Sequence, residues 1–411
     1  MSSAFTQARL NGLDTLRALA ILLVLIFHYR VVVSNELLFG FVSNIGWVGV
    51  DLFFVLSGYL IGDQLLRAYA NKDNFSVKNF YARRLLRTLP NYYAVFALYL
   101  LLPNLLNGTY VAPLWQFLTF TQNLDMRPGE TFTHSWSLCV EEQFYLLFPL
   151  IGMLALSNTT NATRLWLIIG LAFIAAAITR WYMFTSHAGA AITGKEYWQF
   201  IYYPSYSRFD ELLPGVALAL IKNYHPKTFA KLLQYGNQWL LAGLVSSGIV
   251  FYLFLNIHYQ EGIGFNPWTT CIGYSLLAMS FSLLVLAGLS PKSWLNRHQV
   301  PGATSLALWS YAIYLIHKPV YQLLKEPLKN AGFNTDGYVG MGIILLLSLI
   351  AGWGLYKLVE EPFMKFRARH FPSNNRSSHE RPSSNNLSNA KPAHHQQTVA
   401  TETFVGPNKP N

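Results

Sequence analysis

The chain has 411 residues, 52% hydrophobic, 15% aromatic and only 12% charged, with a mean hydropathy of +0.27 and a formal net charge of +11. A soluble domain carries about 25% charged residues, so this composition excludes an ordinary soluble globule and points to a multi-span membrane protein. The basic residues sit beside apolar runs, which favours positive-inside topology over nucleic-acid binding, and Cys139 and Cys271, both within apolar runs, argue against a disulfide framework or a cysteine-ligated zinc site.

A membrane span needs about 20 mostly apolar residues. Ten segments are candidates, near 14–33, 45–67, 90–106, 137–157, 164–184, 208–222, 238–257, 268–289, 303–324 and 337–359, the sixth being the shortest. The first apolar run, Leu16 to Val33, is long for a cleavable signal peptide and no small-residue cleavage site follows it, so it is expected to stay as a span. The fold expected is an all-α polytopic bundle of about ten transmembrane helices.

Orientation comes from the loops. The second holds Lys72, Lys78, Arg83, Arg84 and Arg87; the sixth holds Lys222, Lys227 and Lys231; the eighth holds Lys292 and Arg297. Residues 34–44 and 258–267 contain no Lys or Arg. This asymmetry predicts an even number of spans with both termini cytoplasmic. From about Ser373 the sequence turns to Asn, Ser, Pro and His, which cannot bury enough apolar surface to fold. The expected organisation is a membrane domain over 8–368 and a disordered cytoplasmic tail over 369–411. The His394–His395 pair in that tail is read as solvated, and no metal is expected. No internal repeat is visible, which argues against the repeat-built transporter folds.

Ionisable residues inside spans are costly and usually face the bundle interior. LDTLRALAILLVLIFHY places Arg17 and His28 eleven residues apart, an advance of about 16 Å with a net rotation of about 20°, so both lie on one helix face and Asp14 falls near the same stripe. Two readings are open for His28, a structurally hydrogen-bonded imidazole or a buried base. FYARRLLRTLP places Arg84 and Arg87 on a shared face, as topology anchors or as a phosphate clamp. HSWSLCVEEQFYLLFPL sets Glu141 and Glu142 early in an apolar helix, either as an interfacial helix start or as acids that orient an imidazole. Weaker positions are Asp51 and Ser57 in GVDLFFVLSGYLIG, Arg208, Asp210 and Glu211 in SRFDELLPGVALA, and Ser310, Tyr311, Tyr314 and His317 in SYAIYLIHKPV.

Taken in order, these motifs together with LVEEPF resemble the integral-membrane acyltransferase family 3, over about residues 8 to 368. The arginine, ten residues, then histidine pattern corresponds to Arg17 and His28, the arginine-x-x-arginine pattern to Arg84 and Arg87, and the tryptophan-serine-leucine-x-x-glutamate-glutamate pattern to Trp136 through Glu142. That family includes O-antigen and exopolysaccharide O-acetylases and macrolide and glucan acylases. Some members carry a further extracytoplasmic hydrolase-like domain, which is not visible here, so the chain is expected to act alone or with a partner.

The resemblance implies an enzyme of the bacterial cytoplasmic membrane. It would pass an acyl group, acetyl by default, from cytoplasmic acyl-CoA to a hydroxyl of a glycan or lipid-linked acceptor. Arg84 and Arg87, helped by Arg17, would hold the CoA phosphates. His28 would be the base, or carry the acyl group itself, with Glu142, or else Glu141, fixing its tautomer. Asp14, Asp210, Tyr311 and Tyr314 are candidate substrate contacts. Competing readings are a transporter of a lipid-linked sugar or ion that uses the intramembrane charges as a proton relay, and a non-catalytic subunit of an envelope assembly.

Overall fold

The computed structural model describes residues 10–71, 75–109, 112–156 and 162–371. Within them the ten predicted segments all fall on helices: α1 (Asn11–Tyr29), α2 (Val48–Ala70), α3 (Val77–Leu101), α4 (Trp136–Leu156), α5 (Thr163–Ser186), α6 (Leu213–Tyr224), α7 (Gly236–Asn256), α8 (Pro267–Leu289), α9 (Ala303–Asn330) and α10 (Tyr338–Leu355). A π-helical turn, Tyr356–Glu360, leads from α10 into α11 (Glu361–His370). The chain is therefore an all-α polytopic membrane bundle.

Seven of these helices are long and apolar enough to cross a membrane. The three that fall short do so for visible reasons. Helix α6 has 12 residues, about 18 Å of rise against a hydrocarbon core of about 30 Å. Helix α3 carries Arg83, Arg84 and Arg87, and α9 ends in Lys318, Lys325, Glu326 and Lys329.

The third segment begins earlier than expected. Helix α3 starts at Val77, where the Ser76 hydroxyl accepts the Asn79 N–H, and runs straight through Pro90. The arginine motif therefore lies on the helix itself, not on a loop before it. At the other end, Arg369 and His370 belong to α11, so the boundary drawn at 369 falls inside a helix. The His394–His395 pair and the rest of 372–411 lie outside the described residues.

Helices α2 and α8 form the centre: 72% of each span is buried, against 17% for α7 and 22% for α5 at the periphery. Small residues let the central helices meet. A side chain at Gly58 of α2 would overlap the Leu212 carbonyl oxygen at 1.9 Å, and one at Gly215 of α6 would overlap the Val55 carbonyl at 2.1 Å. Such backbone-to-backbone approach is how membrane helices gain packing without a hydrophobic driving force. Helix α1 lies against α2, α8 and α9, which places Arg17 and His28 in the interior.

Candidate active site

The two ends of α1 open onto two different cavities. Arg17 lines a narrow one, about 90 Å³, together with Arg84 and Arg87 of α3 and Ser57 of α2. Glu141, Tyr311 and Tyr314 complete its walls. Arg84 donates to Gln64 Oε1 (3.0 Å) and stands 5.7 Å from the Tyr145 ring centroid. Glu141 accepts from the Ser57 hydroxyl (3.2 Å) and the Tyr145 hydroxyl (2.6 Å). Glu142 lies beside Thr88, Arg84 and Arg87. Tyr311 donates to the Thr88 carbonyl (2.8 Å), which ties α9 to the arginine helix. The predicted arginines, Glu141 and both tyrosines thus converge, and the cavity they form is cationic.

His28 lines the second cavity, about 530 Å³, with His134 and Lys318. Its walls include Trp47, Trp136, Trp198, Tyr202 and Tyr203. Three imidazoles gather there: the ring centroids of His28 and His317 are 4.9 Å apart, those of His134 and His317 are 5.2 Å, and those of His28 and His134 are 6.3 Å. His28 Nδ1 is 2.9 Å from His317 Nε2, and His317 Nδ1 is 3.2 Å from the Ile313 carbonyl oxygen.

These two contacts assign the protons. A carbonyl can only accept, so His317 Nδ1 carries hydrogen and His317 Nε2 carries a lone pair. His28 Nδ1 must then donate to it, which leaves the lone pair of His28 on Nε2. The expected partner of His28, Glu142 or Glu141, is not the one found. Glu141 lines the arginine cavity and Glu142 sits beside the arginine helix, and His317 fills the orienting position instead. His134 is fixed in the same way: its Nε2 lies 3.0 Å from the Leu315 carbonyl and therefore donates, while its Nδ1 is buried without a hydrogen-bond partner.

A thin partition separates the cavities. Val50 lines both, and the consecutive residues Trp136 and Ser137 face opposite sides. The Tyr314 hydroxyl donates to the His134 carbonyl (2.6 Å) and accepts from the Ser137 hydroxyl (2.7 Å). Tyr314 is therefore a cross-brace within the partition, between the arginines and the histidines.

Asp210, expected to meet substrate, does not line either cavity. It is fully buried and both carboxylate oxygens are engaged by Arg180 (2.8 and 3.1 Å), with Ser275 donating to the same group. It braces helices; no oxygen is left for a ligand. Asp14 is buried in the first turn of α1, three residues before Arg17, and does not itself line either cavity. Arg208 is also fully buried, paired with Asp51 (2.8 Å) and Glu211 and enclosed by the rings of Tyr202 and Tyr274 at 4.3 and 4.2 Å. Trp136 stands 5.1 Å away, so this ion cluster sets the position of two aromatic walls of the histidine cavity. Residues that sequence reasoning gave no role are His134 and Lys318. Each is an ionisable group within or beside an apolar run, the signal that singled out His28. Among the described residues no cluster of three or more His, Cys, Asp or Glu has metal-binding geometry.

A family model described as an acyltransferase domain matches residues 10–357. The chain is similar to YrhL of Bacillus subtilis (strain 168), provisionally named a peptidoglycan O-acetyltransferase: 26% identity over 389 residues, covering 88% of this chain and 56% of that protein. It is equally similar to the O-acetyltransferase OatA of Staphylococcus aureus (strain NCTC 8325 / PS 47), 26% over 387 residues, covering 89% of this chain and 59% of that one. The chain thus spans less than two thirds of the length of these curated relatives. No solved structure matches. With the family model covering most of the membrane bundle and both cavities, the chain belongs to the acyltransferase 3 family.

Proposed function

We propose that this protein is an O-acyltransferase of the bacterial cytoplasmic membrane, with both termini in the cytoplasm. It takes an acetyl group from acyl-CoA at the arginine cavity and delivers it to a hydroxyl of an envelope glycan in the histidine cavity. The observation that carries the reading is the back-to-back arrangement of a cationic cavity and an imidazole cavity on one helix, with the Tyr314–Ser137 partition between them. The loop charges orient the arginine cavity toward the cytoplasm.

Each residue then has a task its chemistry suits. Arg17, Arg84 and Arg87 present guanidinium groups to the donor's phosphates. The pantetheine arm, uncharged and slender, is the part of the donor that reaches the partition. On the far side His28 Nε2 takes the proton of the acceptor hydroxyl as it attacks the thioester carbonyl. The C–O bond forms, the C–S bond breaks, and the thiolate leaves toward the donor side. His317 accepts the hydrogen bond from His28 Nδ1 throughout. It thereby holds the productive tautomer and stabilises the imidazolium, the part a carboxylate plays in a hydrolytic triad. The names of the two relatives, both O-acetyltransferases, support acetyl as the group transferred, and the peptidoglycan in the name of YrhL supports an envelope polymer as the acceptor.

The test is thiol release from acetyl-CoA by purified protein, supplied with cell-wall glycan as acceptor. Release that depends on His28 supports the reading. A transporter that used these charges as a proton relay would release none.

A further inference from the structure

The histidine cavity carries a charge pattern that the acyl-transfer chemistry leaves unused. Lys318, Gln322 and Lys325 follow one another on α9 at spacings of four and three, so they share one helix face, and all three line the cavity. The stripe advances about 10 Å, starting beside His317 and running away from the arginine end. Lys325 donates to the Val32 carbonyl (3.3 Å), and Gln322 accepts from Asn107 (3.2 Å). Among the described residues neither ammonium pairs with a carboxylate.

A cation that lines a cavity of a membrane bundle without a counter-ion is costly, and such groups mark the path of a charged ligand. The one acid on the cavity wall, Glu130, is about nine-tenths buried, its Oε1 has no partner, and it forms no ion pair with the stripe. The same cavity is lined by the indoles of Trp136 and Trp198 and the phenol of Tyr202, aromatic rings of the kind against which the apolar faces of sugar rings pack.

We propose that the acceptor is an anionic glycan, its oxyanion held by the Lys318–Gln322–Lys325 stripe while a hydroxyl of a nearby sugar faces His28 Nε2. This rests on the reading of the histidine cavity as the acceptor side. Lysine is a point charge that grips any oxyanion, so a carboxylate and a phosphodiester share the recognition, and the experiment separates them.

The full chain is placed in nanodiscs of phosphatidylcholine, so that no anionic headgroup competes. Binding is measured for an oligogalacturonate, its carboxyl-reduced neutral form, and a glycerol-phosphate oligomer. One of the two anionic probes binds at least about tenfold tighter than the neutral form, and the tighter of the two names the oxyanion. The preference shrinks below about threefold in Lys325→Gln and survives in Lys325→Arg. Equal binding of the neutral probe, no binding of either anion, or a preference untouched by Lys325→Gln overturns the proposal. Thiol release from acetyl-CoA on the same discs scores the underlying reading separately. Release that persists without a charge preference rejects the anionic acceptor alone, whereas absence of release rejects acyl transfer itself.

Discussion

His28 Nδ1 and His317 Nε2 stand 2.9 Å apart, joining residues 289 positions distant in sequence on α1 and α9. Because His317 Nδ1 is committed to the Ile313 carbonyl, the pair has one consistent neutral proton arrangement, with the lone pair of His28 on Nε2. Replacing His317 by Ala leaves His28 free to adopt the other tautomer and removes the acceptor that stabilises its protonated form. We expect kcat for acetyl transfer to fall about 100-fold with KM for the donor little changed. His317→Gln, whose carbonyl can still accept from His28 Nδ1, should recover part of the loss. Equal losses in both variants would make His317 a packing residue.

Tyr314 braces the partition by donating to the His134 carbonyl and accepting from Ser137. Tyr314→Phe removes both bonds and leaves the carbonyl unpaired, at a cost of about 1–3 kcal/mol. The expected signature is loss of coupling: thiol release without acceptor rises relative to productive transfer. The ratio of free thiol to acetylated glycan, compared with wild type, measures it.

Asp210 is assigned to structure, so its variants should fail in folding before they fail in binding. Asp210→Asn leaves the fully buried Arg180 short of its counter-charge, and breaking such a pair costs about 3–5 kcal/mol. Thermal unfolding in detergent should show a marked drop in midpoint. Molecules that remain folded should keep the wild-type KM for acetyl-CoA. A normal midpoint with a raised KM would return Asp210 to the substrate site.

Glu130 lies in the segment that precedes α4, outside the spans, and burial pushes its carboxyl above the ordinary range. The folded state therefore holds this proton more tightly than the unfolded chain does, so the unfolded state binds fewer protons in that window. The contribution to stability is fully present below the ordinary carboxyl value, about pH 4.3, and is lost as pH rises through the folded value. Glu130→Gln should flatten the fall in melting midpoint over the interval just above about pH 4. Parallel pH curves for wild type and variant would count against a buried carboxyl there.

Much of this arrangement was legible in the sequence, and the reasons are local. Arg17 and His28 could be placed on one face because eleven residues nearly close three helical turns, and Arg84 and Arg87 because a spacing of three does the same over a shorter reach. The order of the motifs carried the family resemblance, which the matching family model bears out. What could not be read was tertiary. Glu142 looked like the orienting acid because paired carboxylates in an apolar helix need an explanation, but their partners turned out to be Ser57, Tyr145 and the arginine helix. The true partner of His28 is a lone histidine in SYAIYLIHKPV, and only the contact between α1 and α9 reveals it. Asp210 looked available because nothing local shows that Arg180, 30 residues earlier, reaches it. The start of α3 was misplaced because Pro90 suggested a boundary, whereas the Ser76 cap supplies it.

The central claim is that an acyl group enters at the arginines and leaves at His28, on the other side of the partition. It is tested most directly in sealed proteoliposomes carrying oriented protein, with radiolabelled acetyl-CoA on the arginine side and cell-wall glycan on the other. The account predicts label on the glycan across the bilayer with wild type, and none with His28→Ala that has folded normally. Labelled glycan at the wild-type rate with His28→Ala, or label that stays on the donor side, would contradict it.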